Sequence, residues 1–72
     1  MDLLSKSYWK EYYRSWSIQK LIEERERLLE DRAAIDSVLM SGRELGYGMR
    51  FVQIDAQLDA IDELLQEKER DL

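Results

Sequence analysis

The amino-acid sequence predicts a mostly α protein: a short N-terminal helix, a long helix, a short β-hairpin and a C-terminal helix, with the two long helices antiparallel. Three observations predict this. The 72 residues include no proline, and the three glycines all fall between positions 42 and 48, so only that window carries strong helix breakers. Apolar residues recur at helical spacing on both sides of it. At 8.7 kDa the chain makes one small domain, 1–72, of a size that buries only about 60% of its extended-chain surface and is marginal alone.

Residues 1–16 are expected to form an aromatic and basic helix. Leu4, Tyr8, Tyr12 and Trp16 step by four, and Trp9 and Tyr13 widen the stripe. Ser15 and Ser17 then interrupt it, and either hydroxyl can cap a new helix. The long helix is expected over 17–41. Leu21, Leu28 and Ile35 repeat every seven residues, with Ile18, Ile22, Leu29, Val38 and Leu39 alongside. Its outer surface offers Lys20–Glu24, Glu23–Arg27, Arg27–Asp31 and Arg32–Asp36 at i, i+4, each worth roughly 0.2–0.5 kcal/mol. Ser41-Gly42 ends it, with Gly42 expected in the left-handed conformation.

Over 43–52 the pattern changes. Two short arms around Gly46-Tyr47-Gly48 alternate Leu45 and Tyr47, then Met49 and Phe51, which predicts a hairpin with Gly48 supplying a positive φ and Arg50 on the second arm. A plain interhelical loop is the other arrangement that fits. The last helix is expected over 54–70, on a seam of Ile54, Leu58, Ile61, Leu65, Lys68 and Leu72. Asp55, Asp59, Asp62 and Glu63 would then load its N-terminal half, with Lys68 and Arg70 near its C-terminus, as the helix dipole favours.

Composition excludes much chemistry. With neither cysteine nor histidine the chain has no thiol, and it lacks both the usual general base and the usual metal ligand. The serines have no imidazole to activate them, and neither a P-loop nor a dinucleotide-binding glycine motif occurs. The acidic row on the last helix reads as a solvated face rather than a metal site. The chain is therefore expected to be no enzyme and to carry no cofactor or metal. A net charge of −5 argues against nucleic-acid binding. No apolar run approaches the ~18 residues of a membrane span. The N-terminus carries no signal-peptide pattern, so a cytosolic setting is the default.

Charge and aromatics are segregated. Residues 1–20 sum to +2 and residues 21–72 to −7, and five of the seven aromatics fall between Tyr8 and Trp16. Tyr8, Trp9, Tyr12, Tyr13 and Trp16, with Lys10 and Arg14, are thus the expected partner-binding residues, since Tyr, Trp and Arg anchor protein interfaces; packing on the long helix of the same chain is the main alternative, and a membrane or single-stranded nucleic-acid surface a lesser one. The partner expected is another protein chain.

From residue 34 the sequence reads AIDSVLMSGRELGYGMRFVQIDAQLDAIDELLQE. Ser41-Gly42, Gly48-Met49-Arg50, Val52 and the Leu58/Ile61/Leu65 seam resemble the gpW-like small head–tail joining proteins of tailed phages. There a helix ends in a small-Gly pair, a short hairpin follows, and a second heptad-like helix closes the unit. The resemblance covers about half the chain, residues 34–69, and does not extend to the aromatic N-terminus. It implies a non-enzymatic virion structural protein, a connector subunit assembling as a homo-oligomeric ring with portal or tail proteins in the host cytoplasm. The alternatives carried by the residues alone are an acidic phage inhibitor of a host factor and a helical-hairpin oligomerisation module.

Overall fold

The computed structural model describes residues 2–40 and 47–70, and these form three helices. Helix α1 spans Lys6–Tyr13, α2 spans Ile18–Met40 and α3 spans Tyr47–Arg70. Helix α1 is shorter than the aromatic stripe, because a turn at Arg14–Ser15 closes it. The expected serine cap is present at Ser17, whose Oγ accepts from the Lys20 amide at 3.2 Å and starts α2.

Helices α2 and α3 are antiparallel, as expected. Arg32 meets Asp55 at 2.8 Å while Arg25 meets Asp62 at 3.5 Å, so positions rise along one helix as they fall along the other. Helix α1 runs parallel to α3 and lies against its C-terminal half: Lys6 pairs with Glu63, Lys10 with Glu63 and Glu67, and the Lys68 ammonium donates to the Arg14 carbonyl. The slab measures 45 × 24 × 14 Å.

The hairpin expected over 43–52 is not formed among the described residues. Tyr47 to Val52 are the first six residues of α3. Gly48 is helical and has no positive φ, so it does not serve as a turn residue, and Arg50 projects from a helix rather than from a strand. The physical reason lies in the apolar spacing. Met49, Phe51, Val52 and Ile54 satisfy a period of 2 in part, but Met49, Val52 and Ala56 also continue a helical row, and a helix satisfies its own backbone hydrogen bonds where isolated four-residue arms leave them open. A glycine costs a helix at most about 1 kcal/mol relative to alanine, less near a terminus, so Gly48 does not prevent α3 from starting at Tyr47. Arg43, Glu44 and Leu45, with Gly42 and Gly46, fall outside the described residues.

The early start of α3 also relocates the acidic row. The first turn of α3 holds no acidic residue, so Asp55, Asp59, Asp62 and Glu63 sit mid-helix and do not complement its dipole. Asp55, Asp62 and Glu63 instead pair with cations on α2 and α1. The expected basic end is present, with Lys68 and Arg70 in the last turn.

The core follows the seams read from the sequence. Leu21, Leu28 and Ile35 of α2 are buried against Ile54, Ile61 and Leu65 of α3, and Leu28, Ile54 and Ile61 have no exposed surface. Ala56, Ala60 and Leu64 are also buried, on the side of α3 that α1 approaches. Small residues there let α1 come close, and Trp9 and Tyr13 fill the space above them.

Candidate functional site

The residues expected to bind a partner are largely used inside the fold. Trp9 is 8% exposed and Tyr13 fully buried. Their rings stack at 5.8 Å, and Tyr13 meets Trp16 edge-on at 4.8 Å. The Trp9 indole N–H donates to the Leu3 carbonyl at 2.7 Å, tying the segment before α1 to the helix. Tyr8 and Trp16 pack partly buried against the core. Lys10 is held at 3.2 Å from Glu63 and 3.1 Å from Glu67, and these carboxylates raise its pKa, Glu67 most. Arg14 pairs with Glu11 at 2.6 Å. Of the seven, Tyr12 turns its ring outward, at 52% exposure. Helix α1 is thus a packed wall of the bundle rather than a free arm: of the five aromatics in the nine residues Tyr8–Trp16, Trp9 and Tyr13 are buried and Tyr8 and Trp16 partly so.

Tyr13 also nucleates a polar chain that pattern reading missed. Its hydroxyl donates to Glu24 on α2 at 2.9 Å and accepts from the Gln57 amide on α3 at 2.8 Å. Gln57, 4% exposed, accepts in turn from Gln53 at 3.4 Å. Arg27 donates to Glu24 at 2.9 Å and also to Asp31, which Arg50 meets at 3.6 Å. One hydroxyl therefore touches all three helices. Burial raises the Tyr13 pKa well above its ordinary value, and the bond to Glu24 adds to this against the opposing Gln57 amide. Burial also pushes Glu24 up, but hydrogen bonds from Arg27 and Tyr13 prevail and hold it below the usual carboxylate range. A signal for this chain was present in the sequence: Gln57 is the polar member of a second row, with Ala60 and Leu64, that runs beside the Ile54/Leu58/Ile61 seam.

The side of α2 and α3 away from α1 is different in kind. Ile22, Arg25, Leu29 and Arg32 step by three and four along α2, and Phe51, Asp55, Leu58 and Asp62 do so along α3. The Arg32 guanidinium lies 4.7 Å from the Phe51 ring centroid while holding Asp55. Leu29 is 43% exposed; Ile22, Phe51 and Leu58 are partly buried. A second uncovered area follows α3 beyond the start of α1, where Met49 and Val52 are 63% and 47% exposed.

Chemically the molecule offers contact surfaces. An open hollow at the α1–α2 turn is lined by Ser15, Trp16, Ser17 and Lys20, where the Ser17 hydroxyl is engaged as the cap of α2 by the Lys20 backbone amide. Among the described residues no group of three acidic side chains is arranged to hold a metal ion, and no helix is long and apolar enough to cross a membrane. No protein-family model, curated protein or solved structure matches the chain.

Proposed function

We propose that this chain is a non-enzymatic assembly subunit, a helical-hairpin module that works in several copies. The observation that carries this is the pairing of a thin slab, 14 Å in its smallest dimension, with large apolar side chains that it cannot cover itself: Leu29, Met49 and Val52 stay 43–63% exposed. Helices that keep an apolar face uncovered complete their core by packing on another layer. Sedimentation of the full chain tests it directly. Oligomers at micromolar concentration are the expected result; a compact monomer up to the hundred-micromolar range overturns it.

Within this class, the setting favoured by the likeness of residues 34–69 is a tailed-phage particle, the chain serving as a connector subunit between portal and tail proteins. The Leu58/Ile61/Leu65 seam supports that setting. The hairpin does not, since Tyr47–Val52 are helical. Co-purification of portal or tail proteins with the tagged chain from infected cells tests it; recovery of the chain from free cytoplasm with none of them in infected cells overturns it.

A further inference from the structure

We propose that a second copy of this chain docks on the α2–α3 face away from α1, with Arg25 and Arg32 of each copy set over Asp62 and Asp55 of the other. This rests on the assembly reading above and specifies its surface.

Charge selects both the face and the occupant. The chain carries −5 overall, so most ways of bringing two copies together set acid against acid. At the middle of this face the charges balance: two arginines on α2 and two aspartates on α3, all between 43% and 52% exposed, stand beside Leu29 and Leu58, while the acidic Asp36 and Glu69 that continue the two rows lie at its opposite ends. The polar contacts of α1 on α3 go to Gln57, Glu63, Glu67 and Lys68, on the opposite side of that helix from Asp55, Leu58 and Asp62, so α1 leaves the strip open.

The arrangement of the charges also selects the symmetry. Two two-fold operations place the face on itself. An axis across the helices sets α2 on α2, bringing Arg25 to the partner's Arg32 and Asp55 to the partner's Asp62, like against like. An axis along the helices sets α2 on α3 at the same level, so that Arg25 lies over the partner's Asp62 and Arg32 over the partner's Asp55. Every neighbour in the resulting four-helix layer pair is antiparallel, the usual bundle geometry. Within one copy Arg32 is held on this face by its own Asp55 carboxylate and Phe51 ring, so its guanidinium is fixed in place before a second copy arrives.

Charge reversal gives the test. Arg25→Asp with Arg32→Asp leaves only acidic groups at the middle of the face, and Asp55→Arg with Asp62→Arg leaves only basic ones there. The wild type is expected to sediment at twice 8.7 kDa. Each double variant alone should dimerise at least about tenfold more weakly, and an equimolar mixture should recover the dimer. Leu29→Lys, at a position outside the ion pairs and 43% exposed, keeps the fold and should lose the dimer too, which covers the case of a charge variant that misfolds. If the wild type is oligomeric and Leu29→Lys leaves it so, this face is not the interface although the assembly reading stands. If the mixture fails to associate while both double variants keep wild-type helical circular dichroism, the Arg-on-Asp arrangement is wrong. A monomeric wild type removes both proposals together.

Discussion

The two ends of the α2–α3 hairpin differ in how many layers they have. At one end, α1 lies against the C-terminal half of α3 and reaches α2 through the Tyr13 hydroxyl; there Tyr13, Leu21, Ala60 and Ile61 are buried and a buried glutamine has its hydrogen bonds met. At the other end α2 and α3 have only each other. Ile35 and Ile54 are buried between them, yet Met40, Met49 and Val52 face outward at 83%, 63% and 47% exposure. The same two helices thus carry a three-sided core at one end and a one-sided seam at the other. The lesson is that helix α1, not the length of the hairpin, sets where this small chain becomes a folded domain, and stability should be distributed accordingly.

The strongest way to break this comparison is to remove the third wall. Trp9→Ala with Trp16→Ala deletes a buried and a partly buried indole, and a buried Trp→Ala change alone costs about 3–5 kcal/mol. A 72-residue chain at roughly 0.05–0.15 kcal/mol per residue has about 4–11 kcal/mol in all. The double variant should therefore be largely unfolded at 25 °C by circular dichroism. Retained helicity with loss of assembly would return α1 to the role of an external docking arm.

A paired measurement sharpens the contrast between the ends. Leu28→Ala opens a cavity at a position with no exposed surface and should cost about 3–4 kcal/mol, whereas Ile35→Ala, at 7% exposure toward the open end, should cost nearer 2 kcal/mol because its surroundings can relax. Urea unfolding of both variants checks it. Equal losses would mean that the open end is covered after all, as it would be in an oligomer whose interface reaches Ile35.

The polar chain belongs to the covered end, and its loss should be smaller but specific. Tyr13→Phe leaves the Gln57 donor and the Glu24 acceptor without their shared hydroxyl and should cost about 1–3 kcal/mol. Glu24 has a folded-state pKa below its ordinary 4.5, so its contribution is present above that value and is lost as pH falls through the folded one. Tyr13 has a folded-state pKa above its ordinary 10.0, so the protonated phenol favours folding below pH 10 and that contribution is lost as pH rises toward the folded value. Stability should be flat between these limits. Glu24→Gln should flatten the acid limb, which thermal melts at pH 7 and pH 3 would show; an unchanged acid limb would mean that other carboxylates govern it.

How far the sequence foretold this structure also differs between the ends. The heptad steps of Leu21, Leu28 and Ile35 and of Ile54 and Ile61 were legible because burial against one partner helix leaves a single periodic stripe. The burial of Trp9 and Tyr13 was not, since an aromatic stripe looks alike whether it meets the same chain or another. The Tyr13–Glu24–Gln57 contacts span 11 and 44 residues of sequence, beyond any local pattern. The start of α3 was misread because glycine, tyrosine and alternating apolar residues are also hairpin chemistry.

That last point leads to the smallest effect and the most direct check on the open end. In a hairpin, Gly48→Val would be strongly damaging, because a β-branched side chain tolerates positive φ poorly. In α3, Gly48 is helical, and a Cβ built there meets nothing within 4 Å. Gly48→Ala should then stabilise by up to about 0.5–1 kcal/mol through helix propensity and the lost freedom of the unfolded chain, less if the first turn frays. Gly48→Val, intermediate in propensity, should stay within about 0.5 kcal/mol of wild type. Denaturant midpoints of the two variants, read beside wild type, separate the conformations: a large loss in the valine variant would restore a turn at residues 46–48 and with it the hairpin, while a small rise for alanine and near-neutrality for valine fix the helix start at Tyr47.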